Sequence, residues 1–110
     1  MSSDRADVTI THHVQGQGGK YVAQVAGAEE SGYLEWEPRP GIAADDGGEQ
    51  EVRVATHTIV PKPIGGRGVA AQLVERLVAD AREKGFKIVP QCSYVADKFS
   101  ENPEWSDLKA

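Results

Sequence analysis

The chain has 110 residues, 39% hydrophobic and 26% charged, with a formal net charge of −5, which is ordinary globular composition and too acidic for a typical nucleic-acid binder. Its one cysteine, Cys92, excludes an internal disulfide and a Cys-rich zinc site. No apolar run approaches the roughly 18–20 residues of a membrane span, and the opening Met-Ser-Ser-Asp-Arg has no secretory apolar region, so a cytoplasmic protein is expected.

Residues 1–110 are read as one domain, with 1–7 expected to be disordered. Val8 to Val14 alternates as a strand, with Val8, Ile10 and His12 on one face. Gln15 to Gly19 is turn material. Lys20 to Ala26 is a second strand, with Tyr21, Ala23 and Val25 on one side, and Gly32 to Glu37 a third. The short connections predict antiparallel hairpins. Pro38 to Gly48, with two prolines and three glycines, reads as a loop. Residues 29–51 carry eight acidic side chains against one base, Arg39. That run is either a solvated edge or a surface that attracts a cationic amine.

Glu51 to Val60 is a longer strand, and strict alternation puts Arg53, Ala55, His57 and Ile59 on one face. Pro61 and Pro63 stop it. Val69, Ala70, Leu73, Val74, Leu77, Val78 and Ala81 then recur at helical spacing, and Gly85 is placed as a helix C-terminal glycine. Phe86 to Cys92 is a short apolar strand. Strand, helix and strand make a crossover, so the two strands are expected to be parallel. Phe99, Trp105 and Leu108 are spaced for a short terminal helix. The expected fold is α/β (α+β): a mixed, mostly antiparallel five-stranded sheet with one main crossover helix and a short C-terminal helix.

The stretch Ile64-Gly65-Gly66-Arg67-Gly68-Val69-Ala70 lies at the junction of strand and helix. Glycines there let a ligand approach the backbone, and free N–H groups and the helix dipole favour an anion such as a pyrophosphate. If the parallel strands part at their C-terminal ends, exposed backbone groups line a slot for an amide-bearing arm. Coenzyme A combines both features. The bland reading is a flexible Gly-rich turn in a small interaction domain.

Gly65-Gly66-Arg67-Gly68-Val69-Ala70 resembles the acetyl-CoA motif of the GNAT N-acetyltransferases, commonly Gln/Arg-x-x-Gly-x-Gly/Ala. His57-Thr58-Ile59-Val60-Pro61, Pro90-Gln91-Cys92-Ser93-Tyr94-Val95 and Asn102-Pro103-Glu104-Trp105 resemble a small YjdJ-like branch of that family. Gly65 stands where the family usually carries Gln or Arg, which leaves phosphate contacts there to the backbone. The resemblance implies acetyl-CoA as donor and an amine, small or protein-borne, as acceptor. It also implies the loss of the two helices that help form the acceptor site in larger relatives. The expected cofactor contacts are Ile59, Val60, Gly65, Gly66, Arg67, Gly68, Val69, Ala70, Ser93 and Lys98. The N–H groups near Ile59 and Val60 are candidates to polarise the carbonyl. His57 is the candidate general base, against a strand histidine that only packs. Cys92 is a nucleophile, a relay thiol or a small buried hydrophobe, and direct transfer with Cys92 modulating the site is the favoured reading. Tyr94 is the candidate proton donor to the departing thiolate. His12, His13 and His57 lack metal-ligand spacing, so no metal is expected. A monomer or weak dimer, contacting neither nucleic acid nor membrane, is the expected state. A non-catalytic CoA- or acyl-CoA-binding module is the alternative function.

Overall fold

A computed structural model describes residues 7–43, 49–66 and 68–110. Five strands form one sheet in the order β1-β2-β3-β4-β5: β1 Val8–Gln15, β2 Gly18–Val25, β3 Ser31–Ala43, β4 Glu49–Ile59 and β5 Lys87–Pro90. The first four pair antiparallel and β4 pairs β5 in parallel, Val52 with Lys87 through Ala55 with Pro90. Helix α1 (Val69–Lys84) is the crossover, α2 (Ser93–Glu101) follows β5, and a 3-10 helix spans Pro103–Leu108. The mostly antiparallel sheet, main helix and short C-terminal helix agree with the expected fold class.

The core lies between α1 and one face of the sheet. Tyr21, Ala23, Leu34 and Trp36 meet Leu73, Val74, Leu77 and Ala81 there, and Val95, Phe99 and Leu108 close the end. The helix stops where the glycine predicts: Gly85 has φ 81°, and its N–H and that of Phe86 both return to the Ala81 carbonyl. Trp36 lies flat against β2, and a Cβ on Gly19 would sit 2.9 Å from its indole ring. Only glycine lets a ring approach a strand that closely.

Three expectations are corrected. Pro38 to Ala43 is strand, not loop, and Pro38 pairs with Arg53. Beyond Trp36, β3 has lost β2 as a neighbour, so a proline there forfeits no ladder bond on that side. Residues 44–48 lie outside the described residues, as do residues 1–6 of the segment expected to be disordered, while the Asp7 carbonyl accepts the Ala26 N–H at 2.9 Å. The last strand is shorter than Phe86 to Cys92. It ends at Pro90, and Cys92 is instead the N-cap of α2. Finally, the ladder between β3 and β4 carries a bulge: Glu35 faces His57 and Trp36 faces Ala55, leaving Thr56 over. Alternation is broken there, so Ala55 and His57 do not share a face.

A polar network crosses the core. Asp80, 5% exposed, accepts the Tyr21 hydroxyl at 2.8 Å and the Arg76 Nε at 3.3 Å, and Arg76 also donates to the Ile10 carbonyl at the sheet edge. Beside it the Trp36 indole N–H donates to His12 Nε2 at 3.0 Å, and His12 stacks on Tyr21 at 4.3 Å. That bond requires a neutral imidazole. Burial, then the charges of Arg53, Lys84 and Arg76, push the His12 value below its ordinary 6.5, against an opposing pull from Asp80. The unfolded chain therefore binds the proton more readily, and stability falls as pH drops through and below 6.5. Urea unfolding at pH 5 and pH 7 checks this. The wild type is expected to lose stability on acidification, and His12→Gln, which accepts without titrating, is expected to lose less.

Candidate functional site

The parallel pair parts where the chain leaves β5. The Cys92 N–H donates to the Ala55 carbonyl at 2.9 Å, the last rung between the two segments. Beyond it, β4 runs on through Thr56–Ile59 while the other chain turns into α2. The gap sits at the Thr56 bulge, because a bulge bends its strand away from the ladder.

The Cys92 thiol occupies the mouth of this gap. It donates to Thr58 Oγ1 at 3.6 Å and lies against the backbone N–H groups of Val95, Tyr94 and Thr58. Burial pushes its ionisation up, but those donors outweigh it, and the net direction is below the ordinary thiol value. The start of a helix favours the ionised form of a thiol placed there. Thr58 was not singled out by sequence reasoning. Its signal is its neighbour His57, read one residue out of phase.

Of the two expected backbone donors, Ile59 turns toward β3. The Ile59 carbonyl faces β3, 3.2 Å from where a Cβ on Gly32 would be, and the Val60 side chain packs on the same glycine. Thr58 turns its N–H to the thiol. Since Thr58 faces Cys92, its neighbours His57 and Ile59 point to the opposite side of the sheet. His57 is exposed there, and Ile59 is 48% exposed. His57 and Cys92 are the pair expected to line the slot, one from each parallel strand. They flank it from opposite faces.

The glycine turn is placed as expected. After a 3-10 turn at Lys62–Ile64, the Gly65 N–H returns to the Lys62 carbonyl, Gly66 has φ 72°, and Gly68 has φ 77° as the N-cap of α1. No side chain caps α1 and its first turn holds no acidic residue. The Gln72 N–H takes the Gly68 carbonyl, so the N–H groups of Val69, Ala70 and Ala71 precede the helical ladder. This donor set fits a phosphate. Arg67 lies outside the described residues.

On α2, Ser93 is exposed at the first position and Tyr94 is half-buried. Burial pushes the Tyr94 phenol up, and Lys98 only partly opposes it. Lys98 lies over the Tyr94 ring at 5.5 Å and pairs with Glu101 at 3.3 Å. No group of His, Cys, Asp and Glu suited to a metal occurs among the described residues. No described helix is long and apolar enough to cross a membrane.

The sequence of the GCN5-related N-acetyl-transferase family matches residues 20–108, which contain the glycine turn, α1, the parting strands and α2. The chain belongs to the GCN5-related N-acetyltransferase family.

Proposed function

We propose that the chain binds acetyl-CoA and moves its acetyl group to an amine. The observation that carries this reading is the adjacency of two features: an uncapped 16-residue helix that begins at a left-handed glycine, and the parting of β4 from the chain that follows β5. Acetyl-CoA supplies an activated acyl carbon. Gly66, Gly68, Val69 and Ala70 hold its pyrophosphate through backbone N–H groups, with Gly65 giving close approach. The open edge of β4 near Thr58 and Val60 bonds the amide arm. The Val60 N–H polarises the carbonyl, since Ile59 turns to β3 and the Thr58 N–H is taken by the Cys92 thiol. Tyr94, kept protonated by burial, gives its proton to the departing thiolate. His57 takes the proton of the amine from the outer face of the sheet. Ser93 and Lys98 flank the arm.

The non-catalytic CoA- or acyl-CoA-binding module is the second reading. Calorimetry with CoA, followed by CoA release over a panel of primary amines, tests both readings. Binding with turnover is expected. Binding without release across the panel selects the module, and no binding removes both.

A further inference from the structure

The outer face of the sheet has a definite order. Tyr21 and Ala23 point into the core, so Lys20 and Val22 point out; Leu34 and Trp36 point in, so Tyr33 and Glu35 point out. Thr58 faces the thiol, so His57 and Ile59 point out. The register then joins them into two rows across three strands. Lys20, Glu35 and His57 form one, and Val22, Tyr33 and Ile59 the other. Directly opposed side chains have Cβ atoms about 4.5–5.5 Å apart. Lys20 lies over the Tyr33 ring at 5.4 Å. The half-buried Glu35 carboxylate makes no ion pair among the described residues.

The position of Glu35 is fixed by the bulge itself. Its carbonyl accepts the Thr56 hydroxyl at 3.3 Å, and Thr56 is the extra residue at which β4 leaves β5. A carboxylate with no ion pair among the described residues thus stands one strand from the slot, with His57 between. The adjoining row presents an aromatic ring and an isoleucine with 48% exposure. A carboxylate beside an apolar strip has the chemistry to hold a primary ammonium on an alkyl arm.

We propose that Glu35 is the specificity-determining residue for the acceptor, holding its ammonium group on the outer face of the sheet. This rests on the acetyl-transfer reading above. The alkyl arm lies along Tyr33 and Ile59. His57, opposite Glu35, takes a proton, and the neutral nitrogen moves into the slot. There the nitrogen–carbon bond forms and the carbon–sulfur bond that holds the acetyl group, on CoA or on Cys92, breaks with its electron pair remaining on sulfur. Tyr94 gives its proton to that sulfur and recovers one from the nitrogen, which sheds its second proton on becoming an amide. Anionic or neutral acceptors gain nothing from Glu35, so the enzyme selects cationic alkylamines.

Amide-resolved NMR on the full-length ¹⁵N-labelled chain tests this. CoA is added first and should move the amides of Gly66, Gly68, Val69 and Thr58. Hexylammonium, or the capped tripeptide Ala-Lys-Ala, is added next and should move Tyr33, Glu35, His57 and Ile59. Tighter binding of the peptide assigns the ammonium to a polypeptide; tighter binding of hexylammonium assigns it to a small amine. Glu35→Gln should weaken the better probe about tenfold, the scale of one lost charge-assisted contact. Glu83→Gln, the same charge change on the exposed side of α1, should not. Equal weakening by both variants reduces Glu35 to a diffuse field and overturns the proposal. So do unchanged affinity in Glu35→Gln and the absence of shifts along the two rows. If CoA moves none of its expected amides, the acetyl-transfer reading falls instead, and the amine titration of the free chain still decides the role of Glu35.

Discussion

Replacing Gly68 with valine is expected to weaken CoA binding by about ten- to a hundredfold, corresponding to roughly 1–3 kcal/mol, the scale of one or two disrupted charged hydrogen bonds. Gly68 is the N-cap of α1 with φ 77° and ψ 13°. A β-branched residue is strained in that conformation. The new side chain would also stand beside the Val69 and Ala70 N–H groups proposed to take the pyrophosphate. Loss of affinity alone would not distinguish a phosphate site from a damaged helix. Gly85 supplies the control, because it holds a similar conformation, φ 81°, at the other end of the same helix. Gly85→Ala should lower thermal stability while leaving CoA affinity intact. Calorimetric titration of both variants, with circular dichroism to verify folding, decides the matter. Unchanged affinity in a folded Gly68→Val protein would remove the phosphate turn.

Features set by short-range patterns were legible before the structure. The apolar spacing from Val69 to Ala81 specifies α1, and Gly85 followed by Phe86 specifies its end, since each uses contacts within one or two turns. The crossover forces β4 and β5 parallel for the same local reason. What escaped detection depends on partners distant in sequence. The strand through Pro38 exists because β4 pairs with it while β2 has already ended, and no window around Pro38 contains that information. The bulge at Thr56 is a mismatch in length between two strands. It leaves no mark in the alternating run from Glu51 to Ile59, yet it decides which of His57 and Thr58 meets Cys92. The site was accordingly legible in its residue types and chain segments. The pairing of side chains across the slot was displaced by one position.

The Cys92 side chain offers the sharpest test of the chemistry. The family resemblance favours direct transfer, with Cys92 modulating the site. Its surroundings argue for a larger share, because the backbone N–H groups at the start of α2 and the Thr58 hydroxyl draw its ionisation below the ordinary 9.0 despite burial. On a carrier route, the Cys92 thiolate attacks the acyl carbon. A new carbon–sulfur bond forms as the bond to CoA breaks, and Tyr94 protonates the released sulfur. The amine then displaces the acetyl group, the bond to Cys92 breaks, and the thiolate is restored as His57 takes the proton. Cys92→Ala is accordingly expected to lower kcat by at least about a hundredfold, the scale for losing an activated nucleophile. CoA affinity should be nearly unchanged, because the pyrophosphate is proposed to sit at the start of α1. Wild-type protein treated with acetyl-CoA alone should carry an acetyl group on the Cys92 peptide, and added amine should remove it. Because the thiol ionises below its ordinary value, the acetylation rate should reach half its maximum at a pH under 9.0. If Cys92→Ala instead keeps most of its turnover and loses only about 1 kcal/mol of stability, the scale of a small buried group, the thiol is packing. The amine then attacks the thioester directly across the gap between Thr58 and α2.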